Sequence, residues 1–259
     1  MRMMKKVLGT VTVLALSVSL LAGCGSTAAS PVSSAASTAA ESTTSSVVSE
    51  TTSAAADENV AAAAQLLNDL TGSYQELWPV ILADEYKQTW LDDCTALVGE
   101  ENAEAAFEKL SSMVTSDVYG EDAVEAYANG GGAYFCGFTN SLAILTFDGE
   151  TSTISGTDKD GNVLFSHTYH YIGMEPVRGL YEFQSDDADS GEFTYFFLAP
   201  DTSAETYHIE FRYGSDAEAL SQYDTGEYAY WLASGISTDC DQTMIDNCIE
   251  LFCTENLAG

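Results

Sequence analysis

Positive charge is what this sequence has least of. Lys and Arg number 8 against 40 Asp and Glu, a formal net charge of −32. Arg2, Lys5 and Lys6 sit at the extreme N-terminus, so Lys87, Lys109, Lys159, Arg178 and Arg212 are the only cations left for everything else. No acidic residue precedes Glu41. A surface so acidic repels phosphate backbones and anionic headgroups, which excludes nucleic-acid binding and polybasic attachment to membranes. Catalytic signatures are missing too: the chain holds no nucleophile elbow, His-Glu-x-x-His, P-loop or dinucleotide fingerprint. Cys-x-x-Cys is absent, which removes redox dithiols and zinc knuckles. Asp186-Asp187-Ala188-Asp189 lacks the spaced ligands and closing Glu of an EF-hand and reads as a solvated turn.

Apolar residues, by contrast, make up 46% of the chain and aromatic ones 11%, enough for a real core. The first of them serve as an address. Arg2, Lys5 and Lys6 precede the apolar stretch Val7 to Leu21, too short to span a bilayer but suited to a signal-peptide core. Leu21-Ala22-Gly23-Cys24 resembles the bacterial lipobox, which implies cleavage after residue 23 and lipid attachment to Cys24. The protein is therefore expected at the bacterial cell membrane, lipid-anchored on its extracytoplasmic side. Gly25 to Ala56 is mostly Ser, Thr and Ala with no aromatic or basic residue, and reads as a flexible tether within a 24–57 linker.

Residues 58–259 read as one domain. Helical spacing is expected over Asn59–Leu70, Ile81–Val98 and Asn102–Val114, and an amphipathic helix over Asp239–Cys253. After Gly130-Gly131-Gly132 the apolar period becomes two. Strands are expected over Ala133–Phe138, Leu142–Phe147, Asn162–Ile172, Gly179–Gln184, Glu192–Leu198, Thr206–Tyr213 and Tyr228–Leu232, split by turns such as Asp148-Gly149. The fold class is thus mainly β, an antiparallel barrel flanked by N-terminal helices and a C-terminal helix.

Cys24 aside, the cysteines are Cys94, Cys136, Cys240, Cys248 and Cys253, an odd number with no pairing legible from spacing. His167 and His170, three apart on one strand, point to opposite faces and cannot easily share a metal. Thr206, His208 and Glu210 share a face. Imidazole beside carboxylate is either a hydrogen-bonded pair or the start of a zinc site, which needs three or four ligands.

Three stretches then carry a family likeness: Leu70-Thr71-Gly72-Ser73-Tyr74-Gln75-Glu76-Leu77-Trp78-Pro79, Arg178-Gly179-Leu180-Tyr181-Glu182-Phe183, and the run from Phe193 to Ser234. The last includes Leu198-Ala199-Pro200, Ala204-Glu205-Thr206-Tyr207-His208-Ile209, Arg212-Tyr213-Gly214-Ser215-Asp216 and Tyr228-Ala229-Tyr230-Trp231. In order and spacing the chain resembles the ZinT (YodA) domain family, lipocalin-like zinc-binding modules of exported bacterial proteins. The resemblance implies a calycin-type barrel, a Zn2+ or similar divalent ion as ligand, and a metal-uptake ABC transporter or its solute-binding protein as partner. Its metal site has an Asp-His before the Ala-Pro and a His-x-His on the next strand. Here the first histidine falls on Phe196, which cannot bind a metal. The His-x-His falls on His208 and Glu210 when Arg212-Tyr213-Gly214 is the anchor, or on Thr206 and His208 when Ala204-Glu205 is. Glu210 is a real zinc ligand type and Thr206 is not, so His208 and Glu210 are the expected metal residues. The expected function is metal binding in acquisition or homeostasis, without catalysis. The alternative is a barrel that has lost its metal and binds a small apolar ligand; what discriminates the two is whether Phe196, His208 and Glu210 face one cavity and whether that cavity is wet.

Overall fold

The computed structural model describes residues 47–199 and 208–258, with side chains from residue 58 onward. The signal-like segment, Cys24 and residues 200–207, among them Ala204, Glu205, Thr206 and Tyr207, lie outside the described residues. The chain opens with helix α1 (Val47–Asp69), whose Ala63, Leu66 and Leu67 are buried. This helix begins well before Asn59 and takes in the last residues assigned to the tether, where Ala54, Ala55 and Ala56 supply helix propensity. Among the described residues no helix is long and apolar enough to cross a membrane.

Eight antiparallel strands close into a barrel: β1 (Gly72–Glu76), β2 (Ile144–Asp148), β3 (Thr153–Thr157), β4 (Val163–Met174), β5 (Tyr181–Ser185), β6 (Tyr195–Leu198), β7 (His208–Gly214) and β8 (Ala233–Ser237). Each strand pairs with the next, and β8 returns to β1 through Tyr74 opposite Ser237. The mainly β, calycin-like barrel with flanking helices is therefore the fold. Closure leaves no sheet edge to protect.

Between β1 and β2 the chain makes α2 (Leu77–Ile81), α3 (Lys87–Val98), α4 (Glu100–Ser112) and α5 (Glu121–Ala128). Between β7 and β8 lies the short α6 (Ala217–Leu220), capped by Asp216, whose carboxylate accepts from the Glu218 and Ala219 amides. The closing helix α7 (Gln242–Leu257) starts at Asp241, which accepts from the Met244 amide. Helices α2, α3, α4 and α7 form their own core on the outside of the barrel, where Phe252 meets Trp78 and Trp90 edge-on at 4.7 and 6.0 Å.

Several expected elements differ. Ala133–Phe138 forms no strand; only Phe135 bridges, to Thr115 and Trp231. Tyr228–Leu232 is likewise irregular, and its aromatic residues close the barrel end, with Trp231 5.1 Å from Tyr213. The strands β1, β3 and β8 went unsignalled because each is only five residues long, and β3 and β8 are built largely of Gly, Ser, Thr and Ala. In β3 the reason is packing: a Cβ at Gly156 would stand 2.4 Å from Leu142 and 2.5 Å from the Phe165 ring. At the β2–β3 turn a Cβ on Gly149 would stand 2.4 Å from the Asn68 backbone, so the Asp148-Gly149 turn lets the hairpin lie against α1.

Arg212 ties the β7–β8 crossover to the barrel. Fully buried, it donates to the carbonyls of Leu220, Gln222 and Tyr228 and stacks on Tyr223, its guanidinium 4.4 Å from the ring centre. Burial pulls its pKa down to about 10. The Arg178 guanidinium also lies over the Tyr223 ring, 4.5 Å from its centre, and buried Glu175 accepts from the Tyr223 hydroxyl at 3.2 Å. Arg212→Ala should cost about 3–5 kcal/mol, since it strands three buried carbonyls and opens a cavity. Urea unfolding checks this, and a loss below about 1 kcal/mol would contradict it. A second expectation concerns Asp93, raised by burial first and then by Glu250, Asp246 and Asp92, with one carboxylate oxygen buried and unpartnered. A raised folded value means the ionised form is penalised only in the folded state, so stability falls as pH climbs through that value. Asp93→Asn should raise the thermal midpoint at pH 7 and leave it unchanged at pH 3.

Candidate functional site

Strand β7 alternates strictly. Ile209, Phe211 and Tyr213 turn into the barrel, and His208, Glu210 and Arg212 turn outward. The outward residues do not meet open solvent, because helices cover them. His208 lies opposite Ile236 and Glu210 opposite Ser234 in the β7–β8 register. Both are half-buried and line a small cavity of about 40 Å³ with Leu77, Trp78 and Ile81 of α2 and Cys248, Leu251, Phe252 and Glu255 of α7. An imidazole and two carboxylates thus share one cavity whose remaining wall is apolar. The charge of Glu210 reaches further: the Cys136 thiol is pushed up to about 12, by burial first and by Glu210 second.

The site expected from sequence is brought together in part. His208 and Glu210 do share a face and a cavity. Phe196 stands elsewhere. It pairs with Tyr213 in the β6–β7 register, which puts it on the inner face. There its ring meets Tyr213 at 5.4 Å, Tyr169 at 5.4 Å, Phe165 at 5.9 Å and Phe211 at 6.4 Å. Phe196 therefore shares no cavity with His208 and Glu210. Phe165 and Phe193, stacked at 3.9 Å, fill the same interior. Thr206, the other alignment's ligand, lies outside the described residues.

Among the described residues no group of three His, Cys, Asp or Glu is arranged to hold a metal ion. The outer face of β7 offers a nitrogen and an oxygen ligand of the right type, two of the three or four that zinc takes from protein. Glu255 was not singled out in the sequence, although its placement on α7, a turn beyond the Cys248 and Phe252 face, carried the signal.

The remaining histidines are engaged elsewhere. His167 is held by Asp187 at 2.7 Å and stacks near Phe165, while His170, on the opposite face of β4, is held by Asp186 at 2.6 Å. The Asp186-Asp187 turn is exposed, as a solvated turn should be, and its two carboxylates pair with these imidazoles.

No protein-family model and no curated protein matches the chain. Solved structures similar to it include the Zn(II)-bound ZinT-like domain of Streptococcus pneumoniae AdcA, at 14% identity over 70% of this chain and 87% of that one, with a TM-score of 0.44. Zn(II)-bound AdcA from Streptococcus pneumoniae is similar at 13% identity over 71% of this chain and 34% of that one, with a TM-score of 0.41. The class of the protein rests on its own strand pairing: a closed, eight-stranded antiparallel barrel of calycin type with an external helical layer.

Placing Phe196 on the inner face has a direct test. Phe196→His should not strengthen zinc binding, and should destabilise the fold by about 3 kcal/mol or more by putting an imidazole among aromatic rings. Calorimetry with paired urea unfolding reads both, and a tenfold gain in zinc affinity would show that residue 196 faces the metal.

Proposed function

We propose that this is a lipid-anchored, extracytoplasmic bacterial protein that binds a divalent metal, zinc or a harder ion, at the helix-covered outer face of β7. The observation that carries the reading is the juxtaposition of His208 and Glu210 in one half-buried cavity. His208 supplies a neutral imidazole nitrogen and Glu210 a carboxylate oxygen, and both donor types bind divalent metals. The cavity walls from α2 and α7 lower the local dielectric, which strengthens a charged contact relative to the acidic surface around it. Anchoring follows from the lipobox-like Leu21-Ala22-Gly23-Cys24, and the role is in metal acquisition or buffering rather than catalysis. A metal-uptake ABC transporter or its solute-binding protein is the partner this reading assigns.

One imidazole among oxygen ligands makes a weaker, less zinc-selective site than three imidazoles, tilted toward Mn or Ca. Titrating zinc calorimetrically into the metal-stripped full chain should therefore give one stoichiometric site with a Kd on the order of micromolar. His208→Ala should weaken it tenfold or more and Glu210→Gln by a smaller factor. Equal, weak binding in all three proteins would reduce the signal to counterion attraction by the acidic surface. Nanomolar affinity would contradict a site with two protein ligands.

A further inference from the structure

Cys94 and Cys253 lie on different helices, far apart in sequence, and both are fully buried. Their sulfurs are 3.9 Å apart, a contact across the packed interface of α3 and α7. The metal reading makes no use of either residue. A disulfide bond is about 2.05 Å long, so a shift of about 1 Å by each sulfur would close it, within reach of side-chain torsion and small helix adjustment. Cys94 also lies one turn beyond Trp90, in the core that holds Phe252 next to Cys253.

We propose that Cys94 and Cys253 are the sites of an intramolecular disulfide that staples α7 to α3 in the mature protein. The two thiols lose two protons and two electrons as the S–S bond forms. The acceptor is a disulfide of the thiol–disulfide oxidoreductase or glutathione class, which is reduced to two thiols. Exchange proceeds through a mixed disulfide while the chain is folding, before the helical layer seals both sulfurs. An exported protein meets such an oxidant, whereas a cytosolic one is kept reduced. The bond would have a consequence for the β7 cavity, because α7 supplies Cys248, Leu251, Phe252 and Glu255 to its wall. The staple would fix that wall in place, whether or not a metal is bound.

The test is refolding of the full chain from guanidinium in a redox buffer of oxidised and reduced glutathione. Free thiols are then alkylated under denaturing conditions and the peptides mapped by mass spectrometry. The expected result is a peptide containing Cys94 joined to one containing Cys253, separated by dithiothreitol. The oxidised chain should also melt about 5–10 °C above the reduced one, from loss of unfolded-state entropy, and Cys94→Ala should abolish that difference. Full alkylation of both residues after refolding would overturn the proposal, as would a different pairing such as Cys240 with Cys248. Neither readout involves metal, so failure here and failure of zinc binding are separate results.

Discussion

The structure depends on a strand that is buried on both of its faces. In most antiparallel barrels a strand turns apolar residues inward and polar ones to water. Strand β7 keeps the inward half of that pattern with Ile209, Phe211 and Tyr213, but its outward residues are covered, at one end by α2 and α7 and at the other by the β7–β8 crossover. Burying His208, Glu210 and Arg212 has a desolvation cost unless each finds a partner. Arg212 finds three carbonyls and the face of Tyr223. His208 and Glu210 are placed beside each other in a cavity lined on the helix side by apolar residues and Glu255. The place where polar groups are covered is the place where a ligand can be held.

Much of this was legible in the sequence because period-two alternation is robust where side chains are large. Asn162–Ile172 and, from His208 on, Thr206–Tyr213 were readable as strands, and the faces of His167 and His170 followed from counting alone. What escaped notice has a physical reason. Strands β3 and β8 are built largely of small residues, which in β3 let something larger approach, as Gly156 does for Phe165, and β1, at five residues, is too short for its alternation to stand out. The aromatic run around Tyr228 to Leu232 looked like a strand because it is apolar, yet it is apolar because it plugs the end of the barrel.

The site was legible only up to the boundary of the strand. That His208 and Glu210 share a face is a property of their spacing, so the sequence contains it. That Phe196 faces away from them depends on how β6 registers with β7, with Phe196 opposite Tyr213. Register is set by the whole barrel, and a shift of one residue would exchange the faces. The contribution of α7 through Glu255 and Cys248 depends on long-range packing that no local pattern encodes. The same packing brings Cys94 beside Cys253.

The most direct test of the account is a crystal of the full chain grown with zinc, with an anomalous difference map recorded at the zinc edge. The account predicts a single strong peak on the outer face of β7, between His208 and Glu210 and beneath α2 and α7. A peak inside the barrel beside Phe196, or peaks only at exposed carboxylates such as those of Asp186 and Asp187, would contradict it.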